Sequence, residues 1–334
     1  CYGFGDLGSC LFWQTITIYL SYFYTDVFGL TPAVAGTMFL VSRVVDALFD
    51  VIIGMTADRT ETRWGKFRPY IIFGAIPLAI AAVAAFSTPA FGGTGKIVYA
   101  YITFMLFMFL YSTVNIPYTS LLGVISGDPE DRTQASSWKF VGAYLGGIIV
   151  SATALIMAKH FGRNYADAVV GEQHGWQMTM IVYGIAAILF FVITFLSTKE
   201  RIKPIVEEKT TIKDDLHDIV RNVPWILLFT ITILFIFYNC VRLNVTTHYF
   251  KYFIGDQDVP WLAAIINFFG GETNSTFSWE SLVSIFNTLG QLVSLVGVLL
   301  LPWFSKMLGR KRATIVLMVA SFICTGSFFF FSPN

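Results

Sequence analysis

The sequence contains a series of long apolar stretches, each long enough to cross a lipid bilayer as a helix. A membrane-spanning helix needs about 20 apolar residues and satisfies its backbone amides internally. Charged residues make up only 13% of the 334 residues, against about 25% in an ordinary soluble domain. We therefore predict an all-α polytopic membrane protein with helices near residues 9–29, 33–57, 69–88, 97–125, 134–159, 176–197, 224–250, 279–304 and 313–331.

The basic residues are concentrated in alternate connections between these stretches. Segments 58–69, 198–224 and 305–312 contain most of the 22 lysines and arginines, whereas the intervening connections contain few. The positive-inside rule places the basic connections in the cytoplasm. We therefore expect a multi-pass protein of the inner (plasma) membrane, in contact with the lipid bilayer, whose N-terminus is cytoplasmic.

The long polar segment 198–223 follows the sixth apolar stretch. We interpret it as a cytoplasmic linker, with an ordinary long loop as the alternative. A weak similarity between Gly54–Arg59 and Leu308–Arg312 indicates two parallel repeats, which are typical of transporters. We expect an N-terminal six-helix bundle over 1–197 and an incomplete C-terminal bundle of about three helices over 224–334. Both ends look cut, and about three more helices should follow the last residue.

The second predicted helix carries two carboxylates one turn apart. Asp46 and Asp50 are four residues apart and therefore share one helix face. Like charges at this spacing repel, and each charge within the membrane costs at least about 2 kcal/mol. A bound Na⁺ or Li⁺ would explain them, because hard cations prefer oxygen ligands, and so would a shared proton. The alternative is a structural charge network that includes Arg43.

Other polar side chains within the apolar stretches are candidates for a transport cavity. They are Trp13 and Gln14 in the first helix, Ser112, Asn115 and Thr119 in the fourth, Lys139 in the fifth and Arg242 in the seventh. A cation in a membrane helix normally faces the bundle interior or water. An indole can stack on a sugar and an amide can bind its hydroxyls. Ser, Thr and Asn also join membrane helices, and tryptophan also packs in cores, so purely structural roles remain open.

The sequence offers no signature of an enzyme. It contains no HExxH, no nucleophile motif and no cluster with metal-ligand spacing. The four cysteines, Cys1, Cys10, Cys240 and Cys324, form no CxxC pair, so we expect no disulfide framework. We expect no cofactor other than a coupling ion, no metal beyond possible Na⁺ at the aspartates, and no nucleic-acid partner.

Several motifs carry a resemblance to a known family. They are Tyr2–Gly5, Tyr24–Val27 with Gly29 and Leu30, Arg43–Asp50, Arg63–Pro69 and Asn115–Pro117. From Tyr2 to about the sixth helix, and more weakly beyond, the chain resembles the glycoside–pentoside–hexuronide:cation symporter family. The aspartate pair followed by the Arg63–Pro69 motif is the specific part of this resemblance.

The resemblance implies a fold, an activity and a cation site. The fold is a twelve-helix major facilitator fold of two six-helix bundles, of which about nine helices are present here. The activity is symport of a sugar, glycoside or hexuronide with Na⁺, Li⁺ or H⁺ by alternating access. The cation ligands of the family correspond to Asp46, Asp50 and Ser112.

The predicted substrate site, which comprises Trp13, Gln14, Asn115, Thr119, Lys139 and Arg242, departs from a well-known family member. Cys10 and Asn115 stand where that member has sugar-binding aspartates, Thr119 replaces a tryptophan and Lys139 replaces an arginine. Two lost carboxylates and two remaining cations favour an anionic sugar such as a hexuronide, since charge-assisted hydrogen bonds are strong. The alternative is a neutral cavity in which Lys139 pairs with Asp46, with Asp50 or with acids elsewhere.

A charged group near the second connection is expected on the cytoplasmic face. It comprises Asp58, Arg59, Arg63, Lys66 and Arg68. These residues either latch the two bundles in one state of the transport cycle or only set the topology. We expect the protein to function as a monomer. An uncoupled uniporter and a carrier of a non-sugar metabolite or lipid are the rival functions.

Overall fold

The structure of the protein, a computed structural model, describes residues 1–202, 221–249, 253–268, 275–277 and 279–327. Six helices precede residue 200: α1 (Gly3–Tyr22), α2 (Pro32–Arg59), α3 (Arg68–Ala85), α4 (Gly93–Ile125), α5 (Pro129–Gly162) and α6 (Ala168–Ser197). A π-helical turn, Phe23–Val27, continues α1. Four more helices follow: α7 (Val223–Tyr249), α8 (Pro260–Phe268), α9 (Trp279–Leu308) and α10 (Arg310–Ser327). The two short strands β1 (Gln257–Asp258) and β2 (Thr276–Phe277) pair antiparallel.

The predicted all-α membrane architecture is confirmed. Each of the predicted apolar stretches contains a helix, and the short helix α8 and the strand pair are additions that the apolar pattern did not predict. Five helical segments of the described residues are long and apolar enough to cross a membrane. They are Arg68–Ala85, Gly93–Ile125, Pro129–Gly162, Ala168–Ser197 and Leu289–Leu308.

The chain divides into two compact units. Helices α1 to α6 belong to the first unit, together with Ser294–Met307 of α9. Helices α7, α8 and α10 belong to the second unit. The predicted linker, 198–223, falls mostly on 203–220, which lies outside the described residues. The division into two bundles at that linker therefore stays a prediction.

Within the first unit, α1 packs against α5 and α6, α3 packs against α4 and α6, and α2 packs against α4. Large aromatic side chains such as Phe12, Phe107 and Trp176 are fully buried in this core. The outward faces carry large apolar side chains at helical spacing, for example Phe73, Ile76 and Ile80 of α3. Such faces suit lipid, which solvates apolar side chains as well as a protein core does.

Glycines bring α1 and α5 into close contact. A Cβ atom on Gly142 would collide with the carbonyl oxygen of Gly3, and a Cβ on Gly3 would collide with the carbonyl oxygen of Trp138. Small residues of this kind let membrane helices approach closely and gain dispersion contacts. The close crossing fixes the first turns of α1 against the middle of α5.

Local capping explains where two long helices begin. The Asp128 carboxylate accepts a hydrogen bond of 2.8 Å from the backbone N–H of Glu130, and Pro129 follows as a first-turn proline. At the start of α6, the Asp167 carboxylate accepts a hydrogen bond of 2.9 Å from Val169 N–H. Each cap satisfies a backbone donor that the helix itself leaves free.

Candidate functional site

The predicted cation ligands on α2 and α4 lie together. The Ser112 hydroxyl donates a hydrogen bond of 3.1 Å to Asp46 Oδ1. Ser112 is buried and Asp46 is half-buried, whereas Asp50, one turn further along α2, is exposed. The arrangement offers carboxylate oxygens and one hydroxyl oxygen from two helices, which is a donor set suited to a hard monovalent cation.

Trp13 of α1 contacts an aromatic ring of α4 and a cation of α2. Its ring stacks on Tyr111 of α4 with centroids 5.1 Å apart. The Arg43 guanidinium of α2 lies 5.0 Å from the centroid of the Trp13 ring. Arg43 and Asp46 are three residues apart on α2, so the aromatic stack lies next to the Asp46–Ser112 bond.

The other predicted polar residues on α1 and α4 are half-buried or exposed. Gln14 follows Trp13 and is half-buried. On α4, Asn115 lies one turn after Tyr111 and is half-buried, and Thr119 lies one turn further and is exposed. These positions share one face of α4, because residues four apart lie on the same side of a helix.

Lys139 of α5 reaches α4. Its ammonium donates a hydrogen bond of 3.3 Å to Thr119 Oγ1 and lies 5.7 Å from the centroid of the Tyr118 ring. Tyr118 stacks on Tyr2 with centroids 4.6 Å apart. Each tyrosine hydroxyl donates to the other residue's carbonyl oxygen, over 2.8 Å for Tyr2 and 2.9 Å for Tyr118. The Lys139 ammonium is therefore positioned at a tightly bonded contact of α1 with α4.

A buried carboxylate on α1 was missed by the sequence analysis. Asp6 is only 8% exposed. The predicted first apolar stretch began at residue 9, which left Asp6 outside the membrane. The sequence feature that could have revealed Asp6 is an acidic residue inside the glycine-rich motif at the start of α1. Glycine lowers the mean hydropathy of this segment but does not end the helix.

Arg242 lies in α7, but its side chain is outside the described residues. Its role stays a prediction.

The charged group on the α2–α3 connection makes contacts within the first unit. Lys66 Nζ lies 3.0 Å from Asp58 Oδ1, and the Arg63 guanidinium stacks 4.5 Å from the Trp64 ring centroid. Arg59 is exposed in the last turn of α2. These contacts do not test whether the group latches two bundles, so that role stays a prediction.

Arg68 and Glu200 join this connection to the end of α6. Arg68 Nη2 donates a hydrogen bond of 2.6 Å to the carbonyl oxygen of Phe195. The Glu200 carboxylate accepts three hydrogen bonds of 2.8, 2.8 and 3.1 Å from the backbone N–H groups of Lys66, Phe67 and Arg68. A carboxylate at the start of α3 also interacts favourably with the helix dipole. Sequence analysis did not identify Glu200, because its partners are backbone groups.

A cavity of about 540 Å³ lies elsewhere in the first unit. It is lined by Tyr22, Ala158, Lys159, Gly162, Arg163, Ala168, Glu172 and Trp176. Tyr22 lies at the end of α1 opposite to Asp6, and none of the predicted cation or sugar residues lines the cavity. It is therefore separate from the candidate site.

Comparison with known proteins identifies the family. The profile of the family described as MFS/sugar transport protein matches residues 1–334. The helical fold and this match identify the class as a polytopic membrane protein of the major facilitator type. The chain belongs to the MFS/sugar transport protein family, which confirms the resemblance found in the sequence.

Several curated relatives are sugar or glycoside transporters by name. The inner membrane symporter YicJ of Escherichia coli is 38% identical over 77% of this chain and 55% of its own length. The isoprimeverose transporter of Lactiplantibacillus pentosus is 33% identical over 96% of this chain and 62% of its own length. The glucuronide carrier protein homolog of Escherichia coli is 31% identical over 96% of this chain and 70% of its own length. The chain thus spans little more than half the length of some relatives that it matches.

Proposed function

We propose that the protein is a secondary active transporter that carries a sugar, glycoside or hexuronide together with Na⁺, Li⁺ or H⁺ by alternating access. The observation that carries the proposal is the hydrogen bond from Ser112 to Asp46, which adds a neutral oxygen to a pair of carboxylates one turn apart on a largely apolar helix. A passive pathway does not require two carboxylates, each of which has a high free-energy cost within a membrane. The family is described as one of transport proteins, and the relatives reported above are transporters by name. Both facts support transport over catalysis.

The cation is proposed to bind between Asp46, Asp50 and Ser112. The Ser112 hydroxyl has one proton and two lone pairs, so it can donate to Asp46 or turn a lone pair towards a cation. A bound Na⁺ or Li⁺ would screen the two carboxylates from one another, and a proton would remove one of the charges. Binding of a metal cation and binding of a proton both reduce the repulsion between Asp46 and Asp50. Uptake experiments with each ion therefore decide which one is coupled.

The sugar is proposed to pack beside Trp13. The Tyr111 ring and the Arg43 guanidinium hold the indole in place, so little side-chain entropy is lost when a ligand binds. Gln14, Asn115, Thr119 and Lys139 provide polar groups for hydroxyls, and Arg242 of α7 is proposed as a contact from outside the first unit.

Coupling is proposed to run through Arg43. This side chain lies over Trp13 and one turn from Asp46 on the same helix. A cation at Asp46 competes with Arg43 for the carboxylate and favours the position of Arg43 over the indole. The cation would then bind more tightly to the state that holds the sugar, which is the differential affinity that coupling requires.

The proposed setting is the inner membrane, with a cytoplasmic N-terminus and a monomer as the working form. The basic connections support that orientation. Asp58, Arg59, Arg63, Lys66 and Arg68 would then lie on the cytoplasmic face as a latch or as topology signals. No cofactor is proposed beyond the coupling ion.

Uptake by the full-length protein tests the proposed function. Labelled sugars and glycosides are offered to vesicles while the Na⁺ gradient and the pH gradient are varied independently. Accumulation above the external concentration that requires one of the two gradients supports symport. Uptake that only equilibrates under every gradient indicates a uniporter, and uptake of none of the sugars points to another cargo.

A further inference from the structure

The cavity of about 540 Å³ lies at the end of the first unit where α5 ends and α6 begins. Tyr22, at the end of α1, lines it together with residues on both sides of the α5–α6 connection. The helical segments Pro129–Gly162 and Ala168–Ser197 are both long and apolar enough to cross a membrane. The connection between them, and the cavity beside it, are therefore expected at the level of the lipid headgroups.

Two cations line the cavity from the end of α5. Lys159 lies in the last turn of this helix, and Arg163, the residue that follows the helix, keeps helical dihedral angles. The two residues are four apart, so their side chains project from one face. Both are exposed, and within the described residues neither side chain forms an ion pair or a hydrogen bond. Cations one turn apart are suited to the oxygens of a phosphate group, which accept charge-assisted hydrogen bonds.

A carboxylate lines the same cavity from α6. The Tyr22 hydroxyl donates a hydrogen bond of 2.7 Å to Glu172 Oε1, which holds the carboxylate in place. Among the residues that the structure describes, Oε2 of Glu172 accepts no hydrogen bond, and the carboxylate forms no ion pair with Lys159 or Arg163. The cavity therefore presents opposite charges, from two different helices, that do not pair with one another.

The other charged residues at this end of the first unit do not line the cavity. Asp167 caps the start of α6, and Asp26 accepts a hydrogen bond from the adjacent threonine. The Lys96 ammonium lies 5.7 Å from the centroid of the Phe28 ring. The two cations of α5 and Glu172 are therefore the charged groups that a ligand in the cavity would meet.

An apolar strip leads from the two cations along the exposed face of α5. Ile149 and Ile156 precede Arg163 by fourteen and seven residues, and they are 39% and 68% exposed. Residues seven apart lie on nearly the same side of a helix, so the strip and Arg163 share a face over about 21 Å. An acyl chain can pack along this strip, whereas a water-soluble ligand would leave it uncovered. The strip favours a lipid as the ligand.

We propose that the cavity binds the headgroup of a zwitterionic phospholipid, phosphatidylethanolamine, whose phosphate lies between Lys159 and Arg163 and whose ammonium donates to Glu172. This headgroup carries one charge for each of the two unpaired sets. Its primary ammonium has N–H donors for the carboxylate, which the quaternary ammonium of a choline lipid lacks. Its net charge is zero, so it is not repelled by Glu172 as phosphatidylglycerol is. The lipid bridges α5 and α6 at the membrane surface, whichever substrate the protein carries.

Lipid retention by the full-length protein tests the proposal. The protein is held in dodecyl maltoside micelles that contain equal amounts of dioleoyl phosphatidylethanolamine, phosphatidylglycerol and phosphatidylcholine, and the bound lipids are counted by native mass spectrometry. The wild type should retain phosphatidylethanolamine about fivefold over each of the other two lipids, which is the contribution of one ion pair at a surface.

Glu172→Gln should reverse this preference, which loss of a merely structural contact would not do. The amide keeps an acceptor for the Tyr22 hydroxyl but removes the negative charge, so the two remaining cations should favour phosphatidylglycerol. Lys159→Gln combined with Arg163→Gln should abolish the preference for phosphatidylethanolamine. Lys96→Gln is the matched control, because it removes a cation at the same end of the unit but outside the cavity. It should retain the three lipids as the wild type does.

Several outcomes would overturn the proposal. They are equal retention of the three lipids by the wild type, a wild-type preference in Glu172→Gln, and a preference that survives the double variant. Glycerophosphoethanolamine, which is the same headgroup without acyl chains, should displace no lipid at an equal concentration. Displacement would indicate a soluble phosphate ester as the ligand and would also overturn the proposal. None of these measurements involves sugar or a cation gradient, so their failure leaves the proposed transport function untouched.

Discussion

The Ser112 hydroxyl donates a hydrogen bond of 3.1 Å to Asp46 Oδ1, and this bond joins α4 to α2. It brings a neutral oxygen to a carboxylate that is followed one turn later by Asp50. The bond also lies beside the stack of Trp13 on Tyr111, which is one residue before Ser112. The proposed cation and sugar sites therefore share α4, so a shift of that helix would move both.

Ser112→Ala should weaken cation activation without abolishing transport. The change removes one neutral ligand and leaves both carboxylates, so the cation concentration for half-maximal uptake should rise about five- to tenfold, the cost of about 1 kcal/mol for one hydrogen-bonding oxygen. Uptake measured across a range of Na⁺ concentrations or pH values checks this. Ser137→Ala is the control, because that buried hydroxyl bonds only the carbonyl oxygen of Thr133 in its own helix. Equal activation curves for Ser112→Ala and the wild type would remove Ser112 from the site.

Asp46→Asn and Asp50→Asn should each abolish accumulation against a gradient. The amide keeps the size of the side chain but loses the negative charge that attracts a cation, so sugar movement is no longer tied to the cation gradient. Uphill uptake and downhill exchange are measured side by side in vesicles. If the double variant still concentrates sugar, the carboxylates are structural and the proposed cation site is wrong.

Trp13→Leu should lower the affinity for sugar about tenfold or more. Leucine keeps an apolar side chain but loses the ring that stacks with Tyr111 and faces Arg43, contacts that contribute about 0.5–2 kcal/mol each. Binding of labelled sugar in detergent micelles, with cation in excess, measures the change. Trp138→Leu is a matched control, since Trp138 is an exposed indole on α5. Similar affinities for the two variants would leave Trp13 a packing residue.

The apolar pattern predicted most of the helices, since bilayer thickness and backbone satisfaction leave few alternatives. The predicted stretch 33–57 corresponds to α2 at Pro32–Arg59, and 97–125 corresponds to α4 at Gly93–Ile125. The start of α1 was missed by six residues, because Gly3, Gly5 and Asp6 do not resemble an apolar run. Gly3 is explained by the backbone of α5 and Gly5 by the Tyr118 ring of α4, since each leaves no room for a Cβ atom.

The candidate site was predictable only in part. Helical spacing places Asp46 and Asp50 on one face, and the resemblance suggested Ser112. The contact of Arg43 with Trp13, and that of Lys139 with Thr119, depend on how separate helices pack. Periodicity within one helix carries no information about which neighbour its face meets. Glu200 could not be found this way either, because its partners are backbone N–H groups of a distant connection.

Glu200→Gln should destabilise the end of the first unit that carries the α2–α3 connection. The neutral amide has one acceptor oxygen in place of two, so at least one of the three backbone N–H bonds is lost, at about 1–3 kcal/mol. We expect a lower unfolding temperature in detergent and faster tryptic cleavage after Arg63. Glu61→Gln is the control, because Glu61 is an exposed carboxylate on the same connection. Equal cleavage of both variants would show that Glu200 does not hold the connection.

Gly142→Ala should disrupt the crossing of α1 and α5, and with it the sugar site. The added Cβ would collide with the carbonyl oxygen of Gly3 and approach Leu7 N at 3.2 Å. Because the obstacle is backbone, no side chain can rotate away, and the helices must separate at a cost of about 1–3 kcal/mol. Asp6 and Lys139 flank this crossing, so the variant should lose sugar affinity as well as unfolding temperature. Gly123→Ala on α4 is the matched control, since no atom lies within 4 Å of its added Cβ and alanine favours a helix. A Gly142→Ala variant as stable and as active as Gly123→Ala would show that α1 and α5 do not touch at this level.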